Sequence, residues 1–468
     1  MKYISTRGDS PVLGFDETLL AGLAQDGGLY VPNSWPYFNN HDLKQMAELS
    51  YIELAQVIMK PFIGNTLSST SLASILEDAY SNFDDDKIAP LKPIAENEYL
   101  LELFHGPTLA FKDIAMQFLG PLFEHFLTKK GKHITIVGAT SGDTGSAAIE
   151  ACRDRDTIDL FILYPYGRVS EIQQRQMTTV VASNIHCIAV DGTFDDCQDQ
   201  VKSMFNDKIF RENCALSSIN SINWTRIMAQ TVYYFWAGLK LRSPINKISF
   251  SVPTGNFGNV FAGYVSKKMG LPIEKLIIAS NKNDILTRFF KTKTMKLGKV
   301  YSTISPSMDI QISSNFERLL FELYDRDGSK VKNLIEKFRS LGEFSIDQSP
   351  FEQTMKIFDS ASFDDNQTSE TIKKVYAESG ELIDPHTAVG VSAARMHHSD
   401  PVTSLITLAT AHPAKFPDSV KKATTISPKL PKRLQGIFDK KEVFTRLENN
   451  EKLIKQFIND TLNKVSIK

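Results

Sequence analysis

One lysine, Lys112, stands in a run whose residue types could do covalent chemistry: Phe104-His105-Gly106-Pro107-Thr108-Leu109-Ala110-Phe111-Lys112-Asp113. A turn precedes it, and an apolar helical stretch follows (Ile114, Met116, Phe118, Leu119). An amine held in apolar surroundings loses proton affinity, and the neutral form condenses with a carbonyl to give a Schiff base. A lysine at a helix start can also snorkel to solvent with no chemical task, so the run alone leaves both readings open.

Two further segments are built to meet anions. Gly138-Ala139-Thr140-Ser141-Gly142-Asp143-Thr144-Gly145 follows a strand pattern and opens a helix. Such a turn aims backbone N–H groups and the positive end of a helix at an anion. It has no lysine after its last glycine and does not read GxGxxG, so neither a Walker loop nor a dinucleotide fingerprint is met. The alternative is a tight turn of small residues made for packing. Pro253-Thr254-Gly255-Asn256-Phe257-Gly258-Asn259 repeats the arrangement. Read as two loops of one sheet, they predict a ligand with more than one anionic group.

The elements that must position these segments follow from periodicity. Apolar residues from Leu43 to Phe62 recur at helical spacing, as do those from Leu72 to Tyr80, and Gly27-Gly28-Leu29-Tyr30-Val31-Pro32 reads as a turn into a strand. Residues 1–85 are therefore expected to form a mainly helical N-terminal domain. From about 95, strands alternate with helices. Strands are expected at 133–137, 160–164, 185–190, 247–252, 275–279 and 403–408, and helices at 146–151, 170–181, 194–205 and up to 269. That alternation predicts an α/β fold of parallel sheets covered by helices. Residues 86–425 are expected to hold two α/β subdomains with an irregular insertion around 281–380. Ser427-Pro428-Lys429-Leu430-Pro431-Lys432-Arg433 reads as a linker, and 441–465 as a final helix, within a terminal segment 426–468.

Composition sets outer limits. The 468 residues carry 53 Lys plus Arg against 54 Asp plus Glu, and this near balance argues against a nucleic-acid binder. Cys152, Cys187, Cys197 and Cys214 contain no CxxC pair, so zinc ribbons and thioredoxin-like sites are excluded and a reducing compartment is expected. The opening Met1-Lys2-Tyr3-Ile4-Ser5-Thr6-Arg7-Gly8-Asp9 lacks the apolar run of a secretory signal, and no stretch approaches 18 apolar residues. A cytoplasmic location is expected, with no membrane partner.

The three chemical segments, in this order, resemble the threonine synthase family of the fold-type-II pyridoxal-phosphate enzymes, the tryptophan synthase β group. Tyr3-Ile4-Ser5-Thr6-Arg7-Gly8 and Gly27–Pro32 are similar to that family's N-terminal domain. Leu408-Ala409-Thr410-Ala411-His412-Pro413-Ala414-Lys415-Phe416 is similar to its C-terminal signature, and the pattern is that of the yeast and enterobacterial branch. The resemblance implies pyridoxal 5'-phosphate as cofactor, O-phospho-L-homoserine and water as substrates, and L-threonine and phosphate as products. It implies that Lys112 carries the cofactor and then shuttles protons. Gly255, Asn256, Phe257, Gly258 and Asn259 would bind the cofactor phosphate, and Thr410 its pyridine nitrogen. Thr140, Ser141 and Thr144 fall where the family binds the substrate carboxylate, with Asp143 near the cofactor's 3-hydroxyl, a position often Asn in relatives. Asn220 and Arg226, in Asn220-Ser221-Ile222-Asn223-Trp224-Thr225-Arg226, would grip the substrate phosphate, the arginine with its planar fork. Ser314 and Asn315 lie in a segment expected beside the substrate, while Arg318 is expected as a helix-face charge. No metal is implied, and the assembly is expected to be a monomer or homodimer.

Two other functions fit parts of this pattern: a serine/threonine dehydratase-like enzyme of the same fold, which has no use for a second phosphate grip, and a non-catalytic relative that only binds the cofactor. His105 and His412 are open to acid–base roles or to structural hydrogen bonds. The neighbours His397 and His398 point apart on a helix and share no ligand face.

Overall fold

The computed structural model describes residues 1–219, 221–241, 247–397 and 402–465. The chain divides into two units, Met1–Ala115 with Ser221–Lys429, and Met116–Asn220 with Leu430–Lys468. The long helix Lys112–Lys130 carries the chain from the first to the second.

The first unit is organised by a six-stranded sheet in the order Phe358–Ser362, Ile273–Ser280, Ile248–Pro253, Ser404–Ala409, Glu98–Glu102, Leu91–Ala95. Every pair is parallel except the last, a hairpin. Ile248–Pro253 is buried along its whole length, as a central strand covered on both faces must be. The registers Thr407↔Ser251 and Ala409↔Glu102 bring the carboxyl ends of three neighbouring strands level. The chain leaves those ends into the 254–257 loop, into Thr410, and into the run that reaches Lys112. Ligands of open α/β sheets bind beyond such ends.

The N-terminal part of this unit is mainly helical, with a two-stranded sheet of Tyr3–Ser5 and Tyr30–Pro32. The apolar run from Leu43 to Phe62 is two helices, Asn40–Met46 and Tyr51–Ile63, rather than one. Ser50 starts the second: its hydroxyl accepts from the Glu53 N–H, and Glu53 Oε2 accepts from the Ser50 N–H at 2.8 Å. This reciprocal cap fixes a new helix start that periodicity passes over.

The second unit has its own five-stranded, all-parallel sheet, ordered Thr445–Glu448, Ile185–Asp191, Ile158–Pro165, Ile134–Ala139, Leu216–Ser217. The two glycine-rich loops therefore belong to different sheets, which corrects the one-sheet expectation. Strand alternation gives the order of elements along the chain but not their partition between sheets. The 441–465 expectation also changes. Thr445–Glu448 pairs in parallel with Ile188–Asp191 as an edge strand, and the last helix starts only at Glu451. That helix buries Ile454 and Ile458 against Phe161, Ile188 and Met204. All four cysteines are buried and free in this unit. Among the described residues no helix is long and apolar enough to cross a membrane.

Candidate functional site

Lys112 opens its helix directly after a backbone bridge. Ala110 pairs with Ala411, the Phe111 N–H donates to the Thr410 carbonyl at 2.9 Å, and the His412 N–H donates to the Leu109 carbonyl at 3.1 Å. The lysine run and the Thr410 segment, three hundred residues apart in sequence, are thus held side by side. Lys112 is half-buried, with Nζ 5.0 Å from the Phe111 ring centroid.

Behind it lies a buried polar cluster that the sequence reading did not single out. Asp113 accepts from the Thr108 N–H at 2.8 Å and from its hydroxyl at 2.6 Å. Lys415, fully buried, donates to the Thr108 carbonyl at 2.7 Å. Burial pushes the Asp113 carboxyl up to about 6 against the pull of the Thr108 bonds and of Lys415. Gly106 is required by the close approach of this carboxylate, since a Cβ there would stand 2.4 Å from Asp113 Cβ. Asp113 and Lys415 each lie inside a run quoted above, yet only the fold reveals that they share Thr108.

Both histidines make hydrogen bonds within the scaffold. His412 Nδ1 accepts from the Ala414 N–H at 3.1 Å, and burial, with His105 nearby, lowers its basicity to about 4. His105 Nε2 lies 2.8 Å from Glu102 Oε2. His397 Nε2 lies 3.2 Å from the Ser360 carbonyl, and His398 is outside the described residues.

The 254–257 loop feeds helix Gly258–Lys268 through Phe257, whose φ of 62° is left-handed and whose side chain makes no cap to that helix. Its first-turn N–H groups have no intrahelical acceptors. Asn256 is exposed and Phe257 and Asn259 are buried. Asn259 Nδ2 is a buried donor with no hydrogen-bond partner among the described residues. An anion at this helix start would satisfy such donors.

Arg226 is buried near the start of helix Trp224–Lys240, and burial lowers its guanidinium to about 10. Asn220 lies outside the described residues. Ser314 Oγ approaches Asn256 Oδ1 at 3.4 Å. Asn315 is spent on the scaffold: its Nδ2 donates to the carbonyls of Ser221 (3.2 Å) and Asn256 (3.1 Å), and its Oδ1 accepts from Arg318. Arg318 is no helix-face charge. It is fully buried, and its guanidinium also donates to the carbonyls of Tyr30 and Ile222. Its acceptors are backbone carbonyls from distant segments, which no spacing rule reports.

In the second unit, helix Asp143–Cys152 begins inside the expected 138–145 loop, because the strand before it pairs as far as Ala139↔Leu163 and the turn is only three residues long. Thr140 Oγ1 accepts from the N–H groups of Gly142 (3.0 Å) and Gly145 (2.8 Å). Asp143 is buried, and Gln173 Nε2 donates to its Oδ1 at 2.9 Å. Ser141 is exposed and Thr144 half-buried beside them.

A lysine beside an apolar helix, an uncapped anion-ready loop and a threonine, all at the carboxyl ends of adjoining parallel strands, suit a phosphate-bearing aldehyde cofactor. The family model described as "Pyridoxal-phosphate dependent enzyme" matches residues 91–336. The class is thus the fold-type-II pyridoxal-phosphate enzymes, and pyridoxal phosphate is the cofactor. Models described as "Threonine synthase N terminus" and "Threonine synthase, C-terminal" match residues 2–80 and 387–458. The chain is 50% identical to threonine synthase of Pseudomonas aeruginosa over 98% of both chains. It is 45% identical to that of Saccharomyces cerevisiae, over 90% of this chain and 88% of the relative. The crystal structure of PLP-bound threonine synthase from Brucella melitensis superposes with a TM-score of 0.96 at 49% identity, covering 98% of this chain and 99% of that one. The chain belongs to the threonine synthase family.

Proposed function

We propose that this enzyme converts O-phospho-L-homoserine and water to L-threonine and phosphate in the cytoplasm. The observation that carries the reading is the backbone bridge holding Lys112 against Thr410 at the strand ends that also present residues 254–259. When bound, pyridoxal phosphate supplies the electron sink for carbanion chemistry. Lys112 holds it and then works as the proton carrier. Its neutral Nζ takes the substrate's α-proton, gives it up to the bound ligand and, neutral again, takes a β-proton as phosphate leaves from the γ-carbon. Water adds at the β-carbon, and protons return to γ and α. Gly255, Asn256, Phe257, Gly258 and Asn259 bind the cofactor phosphate, and the Thr410 hydroxyl meets its ring nitrogen as a neutral partner.

Thr140, Ser141 and Thr144 take the substrate carboxylate, with Asp143, oriented by Gln173, next to the cofactor's 3-hydroxyl. Asn220 and Arg226 grip the substrate phosphate. Burial of Arg226 supports this, because a buried guanidinium gains most from an anionic partner. Ser314 contacts substrate. Asn315 we assign to positioning, since its carboxamide is occupied by backbone carbonyls and Arg318. Residues 1–85, 86–425 and 426–468 serve as N-terminal domain, catalytic region and terminal segment.

The test is phosphate release and threonine formation from O-phosphohomoserine by wild type and Lys112→Ala. Wild type is expected to make both products, and the variant to lose about three orders of magnitude or more in kcat. A wild type that is yellow with cofactor but makes no threonine would overturn the reading in favour of a dehydratase or a binding protein.

A further inference from the structure

The surroundings of Asn259 carry an inference that rests on the cofactor-phosphate reading of residues 255–259. Tyr233 and Tyr234 are neighbours on helix Trp224–Lys240, both fully buried, with ring centroids 5.1 Å apart. Successive helix residues point about 100° apart, so two neighbours seldom share a partner. Here both hydroxyls reach one side chain. Tyr233 donates to Asn259 Oδ1 at 2.5 Å, and the single hydroxyl proton of Tyr234 is shared between the same atom at 3.0 Å and the Asn259 carbonyl at 2.9 Å. Burial holds both phenols far above their ordinary ionisation range, so each keeps a proton to give. Tyr233 has a second acceptor, Gln230 Oε1, at 3.2 Å. Gln230 is itself fixed, its Nε2 donating to the Arg226 carbonyl at 2.7 Å.

A carboxamide has one accepting end and one donating end. With two hydroxyls on Oδ1, the donating end of Asn259 is turned away from them. That end, Nδ2, is the buried donor with no described partner at the uncapped start of helix Gly258–Lys268. Leaving such a donor unmade is unfavourable, and an anion at the helix start removes that cost. We propose that Tyr233 and Tyr234 are positioning residues that lock the Asn259 carboxamide with its amide N–H toward the cofactor phosphate. Without the lock the carboxamide can turn over and present its oxygen, which repels an anion.

The experiment compares binding of pyridoxal phosphate with binding of pyridoxal, which lacks the phosphate. It uses the full chain stripped of cofactor, in wild type, Tyr233→Phe, Tyr234→Phe, Asn259→Ala and the double variant Tyr233→Phe/Asn259→Ala. The ³¹P resonance of the reloaded protein gives a second reading of the phosphate. Asn259→Ala is expected to weaken pyridoxal phosphate about tenfold or more, and each tyrosine variant about three- to tenfold, with pyridoxal unchanged. The double variant should be no weaker than Asn259→Ala alone. The lock is refuted, with the loop reading intact, if Asn259→Ala lowers the preference for the phosphorylated ligand while both tyrosine variants keep it. It is also refuted if they weaken both ligands equally, the mark of a merely structural role. If Asn259→Ala itself leaves the preference unchanged, this inference is overturned while the backbone N–H cradle of the loop reading stands, and the loop reading fails as well only if the ³¹P resonance of reloaded wild type shows a freely solvated phosphate.

Discussion

The two glycine-rich loops share one sequence grammar, a buried parallel strand followed by small residues and a helix start, and they are finished differently. In the 138–145 segment Thr140 turns its hydroxyl inward and takes two of the turn's own N–H groups, at 3.0 and 2.8 Å. Asp143, the first helical residue, is held by Gln173. In the 253–259 segment Phe257 adopts a left-handed conformation with no side-chain cap to the helix, and Asn259 keeps a buried donor in reserve. Thr140 closes part of the first loop on itself, and the second presents the Asn259 amide to its helix start. A loop that holds its shape while empty suits a ligand that comes and goes in each turnover, whereas a loop with unmade bonds suits a group retained from one turnover to the next. The difference is in keeping with the proposed split between a substrate carboxylate and a cofactor phosphate.

The sharpest way to break this comparison is Gly142→Ala. Gly142 sits at φ 136°, ψ −81°, a conformation closed to residues with a Cβ, and that Cβ would stand 2.5 Å from the Gln173 carboxamide. Strain of this kind costs about 1–3 kcal/mol, so kcat/KM is expected to fall about ten- to a hundredfold. Cofactor affinity, read from absorbance titration, should stay within about twofold, because the fault lies in the first loop. Equal loss of cofactor and of activity would erase the distinction.

Thr140→Val tests the same loop more gently. It removes only the oxygen that satisfies Gly142 and Gly145, leaving two buried N–H groups unmade at about 1–3 kcal/mol in total. The expected result is a KM raised about tenfold with kcat little changed and the melting temperature lowered by a few degrees. A fall in kcat with KM unchanged would place Thr140 in the chemical step instead of in the binding surface.

Much of this was legible before the fold was known, and what was hidden has a common cause. The strands at 134–139, 158–165, 185–191, 248–253 and 273–280 lie where apolar runs bounded by turn residues placed them, because parallel strands buried on both faces announce themselves locally. The lysine run and the Thr410 run could be recognised as motifs, but their pairing through Ala110 and Ala411 is a long-range contact without local signature. The same holds for Lys415 on Thr108, for Arg318 on the Tyr30 and Ile222 carbonyls, and for two tyrosines meeting at Asn259. Periodicity assigns Thr445–Glu448 to the final helix, because an edge strand with two exposed and two half-buried residues carries too little apolar signal to outweigh the helical pattern that follows.

Acidity gives the finest handle on the comparison, because two buried titratable groups with opposite signs stand behind the Lys112–Thr410 end of the first sheet. Asp113, raised to about 6 by burial, binds more protons folded than unfolded between about 4 and 6. Its contribution to stability is present below pH 4 and is lost as pH rises through 6. His412, lowered to about 4 by burial and by His105, binds fewer protons folded than unfolded between about 4 and 6.5. Its contribution is present above pH 6.5 and is lost as pH falls through 4. Each amounts to about 3 kcal/mol over its window, and in wild type the two nearly cancel. Between pH 4 and 6 these two contributions therefore offset one another in wild type. His412→Asn should expose the Asp113 slope, with stability falling as pH rises, and Asp113→Asn the opposite slope. Chemical denaturation at half-unit intervals reads both. A histidine resonance with a midpoint near 4, lost in His412→Asn, would assign the second group directly, while parallel slopes in the two variants would mean that neither group titrates in the folded protein as its burial requires.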